Sequence, residues 1–386
     1  MASIYSSSFL LAMSLMYVTL PLSQSLILPP EQKLKMGMGE QLKDECIDLA
    51  EDNDFRCIYA EEATKGHHVG KAIFNGMAEA GREQTKIFLP SYVNFGGELE
   101  RLMGVINTNS DILGGVLACV EHWPDVPASC VELVWPDPPA ADFYDVEDPA
   151  TAESQIQDTE MYVDKTLSGL GLCPFTKSMR LSALGLEQAG VQPGPVKIRH
   201  SAKIENLSTE TAPAVAMAAL YWGGVSDIID RPEEEVATFL LVCPSIFTDF
   251  KTFFHACDNL IEKTNLLAPG LVGRVWFHPE YKLADVGYQS GGHAPPLEEV
   301  NNLMDSYLAE HPGAEKPSPE GLARAHDKTR WTPHPTINLL RPRQLNIAKE
   351  VDVKEKRAKV YPRNVVRILE AEKKGELEDF LDVSKK

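Results

Sequence analysis

The sequence predicts an α/β or α+β fold: a layered sandwich with a mixed sheet flanked by helices, plus an N-terminal region of helices and short strands. Three observations carry that expectation. Apolar runs of strand length, bounded by Pro or Gly, occur at Val196–Ser201, Ala237–Cys243 and Val272–Phe277. Segments with helical spacing separate them, long enough to serve as crossovers in a layered sheet. The chain of 386 residues, 44% hydrophobic and 24% charged, has globular composition and room for two folded units.

No charged residue precedes Glu31, and Phe9–Leu22 is a short apolar run followed by Ser23-Gln24-Ser25. The run contains Pro21 and falls short of a membrane span, so it reads as a signal-peptide core with cleavage near Ser25. Residues 1–25 are therefore expected to direct the chain into the secretory pathway, to the ER or outside the cell. Plastid delivery through a bipartite presequence is the alternative. In the ER lumen, Asn206-Leu207-Ser208 would be a glycosylation sequon.

Residues 31–150 form a region of unassigned fold. Helices are expected over Gln32–Asp48 and Glu61–Arg82, and short strands over Val116–Val120 and Val131–Trp135. The Pro- and Asp-rich stretch from Trp135 to Pro149 reads as a linker. The α/β domain follows over 153–349. Ile156, Val163, Leu167 and Leu170 share a helical face that Gly169 and Gly171 end. After the first strand comes an Ala-rich helix, Ala212–Trp222, expected to stop at Gly223-Gly224. After the second comes a helix with Phe250, Phe253, Phe254, Cys257, Leu260 and Ile261 on one side and Ser245 as N-cap. Ala284–Lys328 reads as loop, and helices are expected near Ile337–Lys349 and Arg363–Lys374.

Charge excludes some partners. With 37 basic and 56 acidic residues the net charge is −19, which repels nucleic-acid backbones and anionic membrane surfaces. No membrane span is expected once the presequence is removed. The tail runs the other way: Arg341–Lys386 holds 13 basic and 9 acidic residues, expected as a basic, solvated helical tail over 350–386 or a surface for an acidic partner. Seven cysteines without CxxC spacing signal no disulfide framework, one bridge at Cys46–Cys57 or Cys119–Cys130 being the most they allow. A phosphate-binding glycine loop, GxSxG, HExxH and DxDxDG are all absent from the sequence.

Three peptides could carry chemistry. In Leu172-Cys173-Pro174-Phe175, the proline suits the first turn of a helix, which would make Cys173 an N-cap with a favoured thiolate. Alternatively Cys173 lies just past the C-terminus of the preceding helix, or is a plain core cysteine. In Phe277-His278-Pro279-Glu280-Tyr281, the histidine ends an apolar strand, where it could act as acid/base, ligate a metal, or bond a loop carbonyl. In Arg330-Trp331-Thr332-Pro333-His334-Pro335, two prolines present His334 rigidly, and Arg330, Thr332 and the following Arg341 suit an anionic substrate, or a surface loop and a salt bridge. His67-His68 and His293 lack spaced partners, so no metal site is expected there. Asp249 and Asp258 are expected to be solvated.

Taken in order, LCPF, LLVCPSIFTDF, FHPEY and TPHPTINLLR resemble a bacterial and algal family catalogued as a domain of unknown function, number 1415. The resemblance covers about residues 153–349 and implies an α/β fold. Position by position it picks out Cys173, Pro174 and Phe175; Pro244, Asp249 and Phe250; Phe277, His278, Pro279 and Tyr281; and Thr332, Pro333, Pro335, Leu339, Leu340 and Arg341. Trp331, His334 and Asn338 replace the family's usual Arg, Tyr and His. The family lends no reaction.

Three functional expectations follow. The first is a small-molecule enzyme whose pocket joins Cys173, His278 and His334 as catalytic groups with Arg341, Arg330 and Thr332 as substrate contacts. The second is a non-catalytic accessory or binding protein, in a setting such as an algal specialised-metabolite pathway, meeting a protein partner through its acidic N-terminal region and proline-rich loop. The third is a metal site of His278, His334 and Cys173. No cofactor is indicated.

Overall fold

The computed structural model of the chain describes residues 43–48, 50–51, 55–94, 97–121, 129–135, 144–173, 176–183, 186–244, 246–247, 249–286, 292–347 and 360–377. The expected presequence, the linker residues 136–143 and the candidate N-cap Ser245 lie outside the described residues.

Two four-stranded mixed sheets organise the fold, as the α+β expectation requires. The first contains β1 (Arg56–Tyr59), β2 (Thr85–Leu89), β3 (Leu117–Glu121) and β4 (Ser129–Val134), in spatial order β1-β2-β4-β3. Helix α1 (Gly66–Ala80) crosses between the parallel strands β1 and β2, and α2 (Glu98–Thr108) leads into an antiparallel pair. The second sheet contains β5 (Val196–His200), β6 (Thr238–Val242), β7 (Gly273–Phe277) and β8 (Thr336–Leu340), in order β5-β6-β8-β7. Helix α4 (Pro213–Asp230) crosses between parallel β5 and β6, helix α5 (Phe250–Ala256) leads into β7, and β8 pairs antiparallel with both β6 and β7.

The two sheets therefore share one plan, β-α-β-α-β-β, with the same strand order and the same parallel and antiparallel pairs. Between them lies α3 (Pro149–Tyr162), which continues as a π-helix over Val163–Ser168. Asp148 caps α3 by accepting from the N–H groups of Ala150 and Thr151, and Pro149 fills the first turn, where a missing N–H costs nothing. The second copy carries an insertion between β7 and β8 that holds α6 (Leu297–Glu310) and α7 (Pro319–Lys328). Pro296 and Pro319 start these helices, so the segment expected as loop is largely helical. A last helix, α8 (Val360–Lys373), follows.

The expected stop at Gly223-Gly224 is not used: α4 runs from Pro213 to Asp230. The glycines serve packing instead, since a Cβ on Gly224 would stand 2.9 Å from the side chain of Leu241 and 3.0 Å from that of Leu339. Helix α5 (Phe250–Ala256), continued by a π-turn at Cys257–Ile261, takes its N-cap from Asp249, whose carboxylate accepts the Thr252 N–H. The helix expected near Ile337–Lys349 is strand β8 followed by a short helix over 342–347. Two anchored neighbours at either side outweigh the helical spacing there.

Helices of one copy pack on helices of the other. Gly70 of α1 lies against Trp222 of α4, and the Ser226 hydroxyl of α4 donates to the His67 carbonyl at 3.0 Å. From the end of α2, Asn109 Nδ2 reaches the Asn259 carbonyl at 3.0 Å. Like elements meet like, the pattern a two-fold produces. The inward residues of both sheets, among them Ile87, Leu89, Val131 and Leu133 from the first and Phe239, Leu241, Ile337 and Leu339 from the second, join one buried core. Asp44–Lys386 accordingly forms one unit. All seven cysteines are free thiols, and burial pushes Cys46 up to about 12 and raises Cys130, Cys243 and Cys257, which makes these inert packing residues. No helix among the described residues is long and apolar enough to cross a membrane.

The α1–α4 contact gives a direct test. A Cβ on Gly70 would stand 2.5 Å from the ring of Trp222, itself fully buried. Gly70→Ala should raise helix propensity yet lower stability by about 1–3 kcal/mol, because overpacking wins. Urea unfolding checks the sign.

Candidate functional site

Alternation along the second sheet sends Leu240 of β6, Val275 and Phe277 of β7 and Asn338 and Leu340 of β8 to the face away from the shared core. The π-helix after α3, the loop after it and α8 cover this face incompletely. What remains is a cavity of about 250 Å³. An apolar cavity of about 150 Å³ already admits benzene, so a small organic molecule fits.

The expected solvated tail builds one wall. Val360, Tyr361 and Asn364 of α8 line the cavity, and Val365, Val366 and Ile368 pack into a cluster with Val300, Met304 and Leu322. Its arginines face the end of the π-helix. Arg363 donates to the Leu172 carbonyl at 3.2 Å, and Arg367 to the carbonyls of Leu170 (3.3 Å) and Gly171. Carbonyls at a helix end lack intrahelical partners, so cationic donors are held there. The periodicity of the tail was legible; its docking was not.

The lining is mostly apolar, with Val163, Leu167, Leu186 and Leu340 among it. Its polar members are Cys173, Thr176, Ser182, Thr238, Thr329, Arg330, Asn338, Arg341, Gln344, Tyr361 and Asn364, and none of the described lining residues is Asp, Glu or His.

Arg330 is the unusual one. It is 9% exposed, and no carboxylate pairs with it among the described residues. Its backbone N–H donates to the Asp327 carbonyl and its carbonyl accepts from His278 N–H, which ties the end of α7 to the end of β7. Nη2 donates to the His293 carbonyl and the Tyr361 hydroxyl, each at 3.3 Å, and the guanidinium lies 5.7 Å from the Phe277 ring centre and 5.8 Å from that of Tyr361. Nε is buried without a hydrogen-bond partner, and so is Nε2 of Gln344 on the same cavity. Most buried donors are satisfied, and here two residues that line one cavity each carry an unsatisfied one.

Arg341 reaches the cavity but is engaged. Its Nε and Nη2 donate to Val236 O at 3.0 and 2.8 Å, and Nη2 also to Arg231 O at 2.8 Å, tying β8 to the turn after α4. Burial lowers its pKa. Cys173 donates its N–H to Leu167 O, which places it past the C-terminus of the π-helix rather than at an N-cap. Its Sγ donates to Thr176 Oγ1 at 3.2 Å, which is 3.0 Å from Ser182 Oγ.

Of the residues expected as one site, Cys173, Arg330 and Arg341 share this cavity, whereas His278, His334 and Thr332 do not line it. His278 faces α5, between the rings of Phe250 and Phe253 at 5.3 and 5.4 Å. Its Nδ1 accepts the Glu280 N–H at 3.0 Å and its Nε2 donates to Phe247 O at 3.4 Å, so both nitrogens hold a loop. Burial pushes its pKa down to about 4. His334 lies 3.5 Å from Asp158, with its pKa lowered by burial against that carboxylate. The Thr332 hydroxyl bonds the His334 carbonyl at 2.5 Å. Cys173, His278 and His334 form no metal-holding group among the described residues. Asp258, expected in solvent, is buried, with its Oδ1 2.9 Å from His293 Nε2. Asn206 occupies an exposed turn at φ 55°, a conformation asparagine tolerates. Sequence reasoning missed Gln344, Tyr361 and Asn364, which carry no motif.

Residues 154–293 match the model of a family described as "Protein of unknown function (DUF1415)". The match takes in Cys173 and His278 and ends before Arg330, His334 and Arg341. No curated protein and no solved structure matches the chain.

The state of His278 has a measurable consequence. Its folded pKa lies below the 6.5 of an unfolded histidine, so its contribution is complete above pH 6.5. Between pH 6.5 and about 4 the unfolded chain takes up a proton that the native ring refuses, and stability falls. His278→Gln should flatten this part of a stability-against-pH curve from urea midpoints. The slope left over belongs to His67, His200, His326 and His334, which burial also lowers, and toward pH 4 to ion-paired carboxylates such as Asp230 and Glu372.

Proposed function

We propose that the chain binds a small organic anion with an apolar body, in the cavity between the outer face of the second sheet and α8, with Arg330 as the partner of the anionic group. The observation that carries this reading is the buried Arg330 guanidinium, with no carboxylate partner and no acceptor for Nε among the described residues, on a wall otherwise mostly apolar. A carboxylate there would accept from Arg330 Nε and Gln344 Nε2 and neutralise the charge, while the aliphatic lining takes the body. Phosphate, larger and doubly charged near neutrality, would bring more charge than one free guanidinium meets.

Thiol chemistry on the bound molecule is a second reading. The presence of Cys173 on the same cavity favours it. The binding reading also serves a non-catalytic accessory protein, which needs the pocket and no reacting group. The expected N-terminal presequence would deliver this site to the secretory pathway and bring Asn206 to the glycosylation machinery.

Thermal shift with a homologous series of monocarboxylates, run beside their neutral amides, tests the proposal. Butyrate to hexanoate and benzoate should stabilise the chain, and the amides should not. At a ligand concentration a hundredfold above Kd the gain is about 2.7 kcal/mol. Arg330→Gln should abolish it, and Cys173→Ser should keep it. Equal stabilisation by acids and amides would refute the anion site.

A further inference from the structure

A second cluster lies outside that cavity, where α1 begins and α4 ends. His67 and His68 are adjacent in sequence, and Asp230 stands more than 160 residues away, so no local spacing reveals the set. His67 Nε2 is 3.1 Å from Asp230 Oδ1, His68 Nε2 is 2.8 Å from Asp230 Oδ2, and the two rings are 4.2 Å apart. All three ligand atoms lie within 4.8 Å of one another. Zinc bonds imidazole nitrogen at about 2.0–2.1 Å and carboxylate oxygen at about 2.0–2.2 Å, so ligand atoms on a tetrahedron stand ~3.4 Å apart. The two imidazole nitrogens now meet different oxygens of Asp230, at 3.1 and 2.8 Å, so they would part by about 0.3–0.6 Å to span that edge around an ion.

We propose that His67, His68 and Asp230 form a site for a divalent first-row transition ion, zinc being the probe. The donor set selects the class: two imidazoles favour such ions over magnesium or calcium, and one carboxylate offsets half of the added charge. The Ser226 hydroxyl on the His67 carbonyl holds the start of α1 in place. Lys65, at the N-cap of the same helix, opposes a cation, and Asp230 counters it. Asp230 and His68 remain partly open to solvent, so water would take the fourth position. The ion would take the place of the Nε2···carboxylate hydrogen bonds, each neutral ring then carrying its one proton on Nδ1, and would join a helix of the first copy to a helix of the second.

The test uses the full chain, stripped with chelator and then given zinc chloride. After desalting, elemental analysis should find one zinc per chain, and thermal shift should show stabilisation. His68→Ala and Asp230→Asn should weaken binding by about a hundredfold or more, since loss of outer partners alone costs 10–100-fold. Cys119→Ser, which removes an exposed thiol, should bind as the parent does. Cobalt gives a reading on the unmutated chain: a tetrahedral nitrogen and oxygen set absorbs in the visible region without a thiolate charge-transfer band. Zinc retained equally by both ligand variants, no zinc retained at all, or a thiolate band would each overturn the site.

Discussion

A buried guanidinium that no carboxylate among the described residues pairs with is the constraint around which the second half of this fold is arranged. Taking a charge of that size out of water costs several kcal/mol unless it is paired. Arg330 recovers part of that through the carbonyl of His293, the hydroxyl of Tyr361 and the ring of Phe277. Each of these comes from a different element: the loop after β7, helix α8 and strand β7. The charge thus holds together the insertion, the tail helix and the sheet, and leaves its Nε–H buried without a hydrogen-bond partner among the described atoms. An incoming carboxylate would complete the set.

The two copies of the β-α-β-α-β-β plan show how one layout reaches two outcomes. On the outer face of the first sheet, Lys86 reaches Glu121 at 2.6 Å and Glu132 at 3.4 Å, so the charge is neutralised within the sheet. The corresponding face of the second sheet carries Leu240, Asn338 and Phe277, and its charge enters from outside, on the insertion. The inner faces are alike because each buries against its own copy's helices, which in turn pack on the helices of the other copy. At Gly70 and Gly224 that packing crowds the place of a Cβ, one against Trp222 and the other against two leucines of the sheet.

Much of this was legible from short-range pattern. Strands β5, β6 and β7, the aromatic face of α5 and the end of the π-helix at Gly169 follow from apolar spacing and punctuation, and the LCPF and FHPEY peptides lie in the stretch, 154–293, that matches the model of the family they resemble. What was lost depended on distant partners. Thr336–Leu340 has helical neighbours in sequence and becomes a strand because β6 and β7 flank it. The tail looks solvated because its charges alternate, yet Arg363 and Arg367 are spent on helix-end carbonyls nearly 200 residues earlier. Asp230 beside His67 and His68, and His293 beside Asp258, were invisible for the same reason. Cys173 and Arg330 were chosen separately on residue chemistry, and the fold brings both to one cavity; His278 was chosen on the same grounds and proves to be a bonded core histidine.

The most direct measurement is anomalous diffraction from crystals of the full chain grown with 5-bromopentanoate. The bromine reports the apolar body and the carboxylate density reports the head. The account expects a bromine peak among Leu167, Leu240 and Leu340, with the carboxylate against Arg330 Nε and Gln344 Nε2. Bromine found only at the surface, or a cavity occupied with the carboxylate turned away from Arg330, would contradict it.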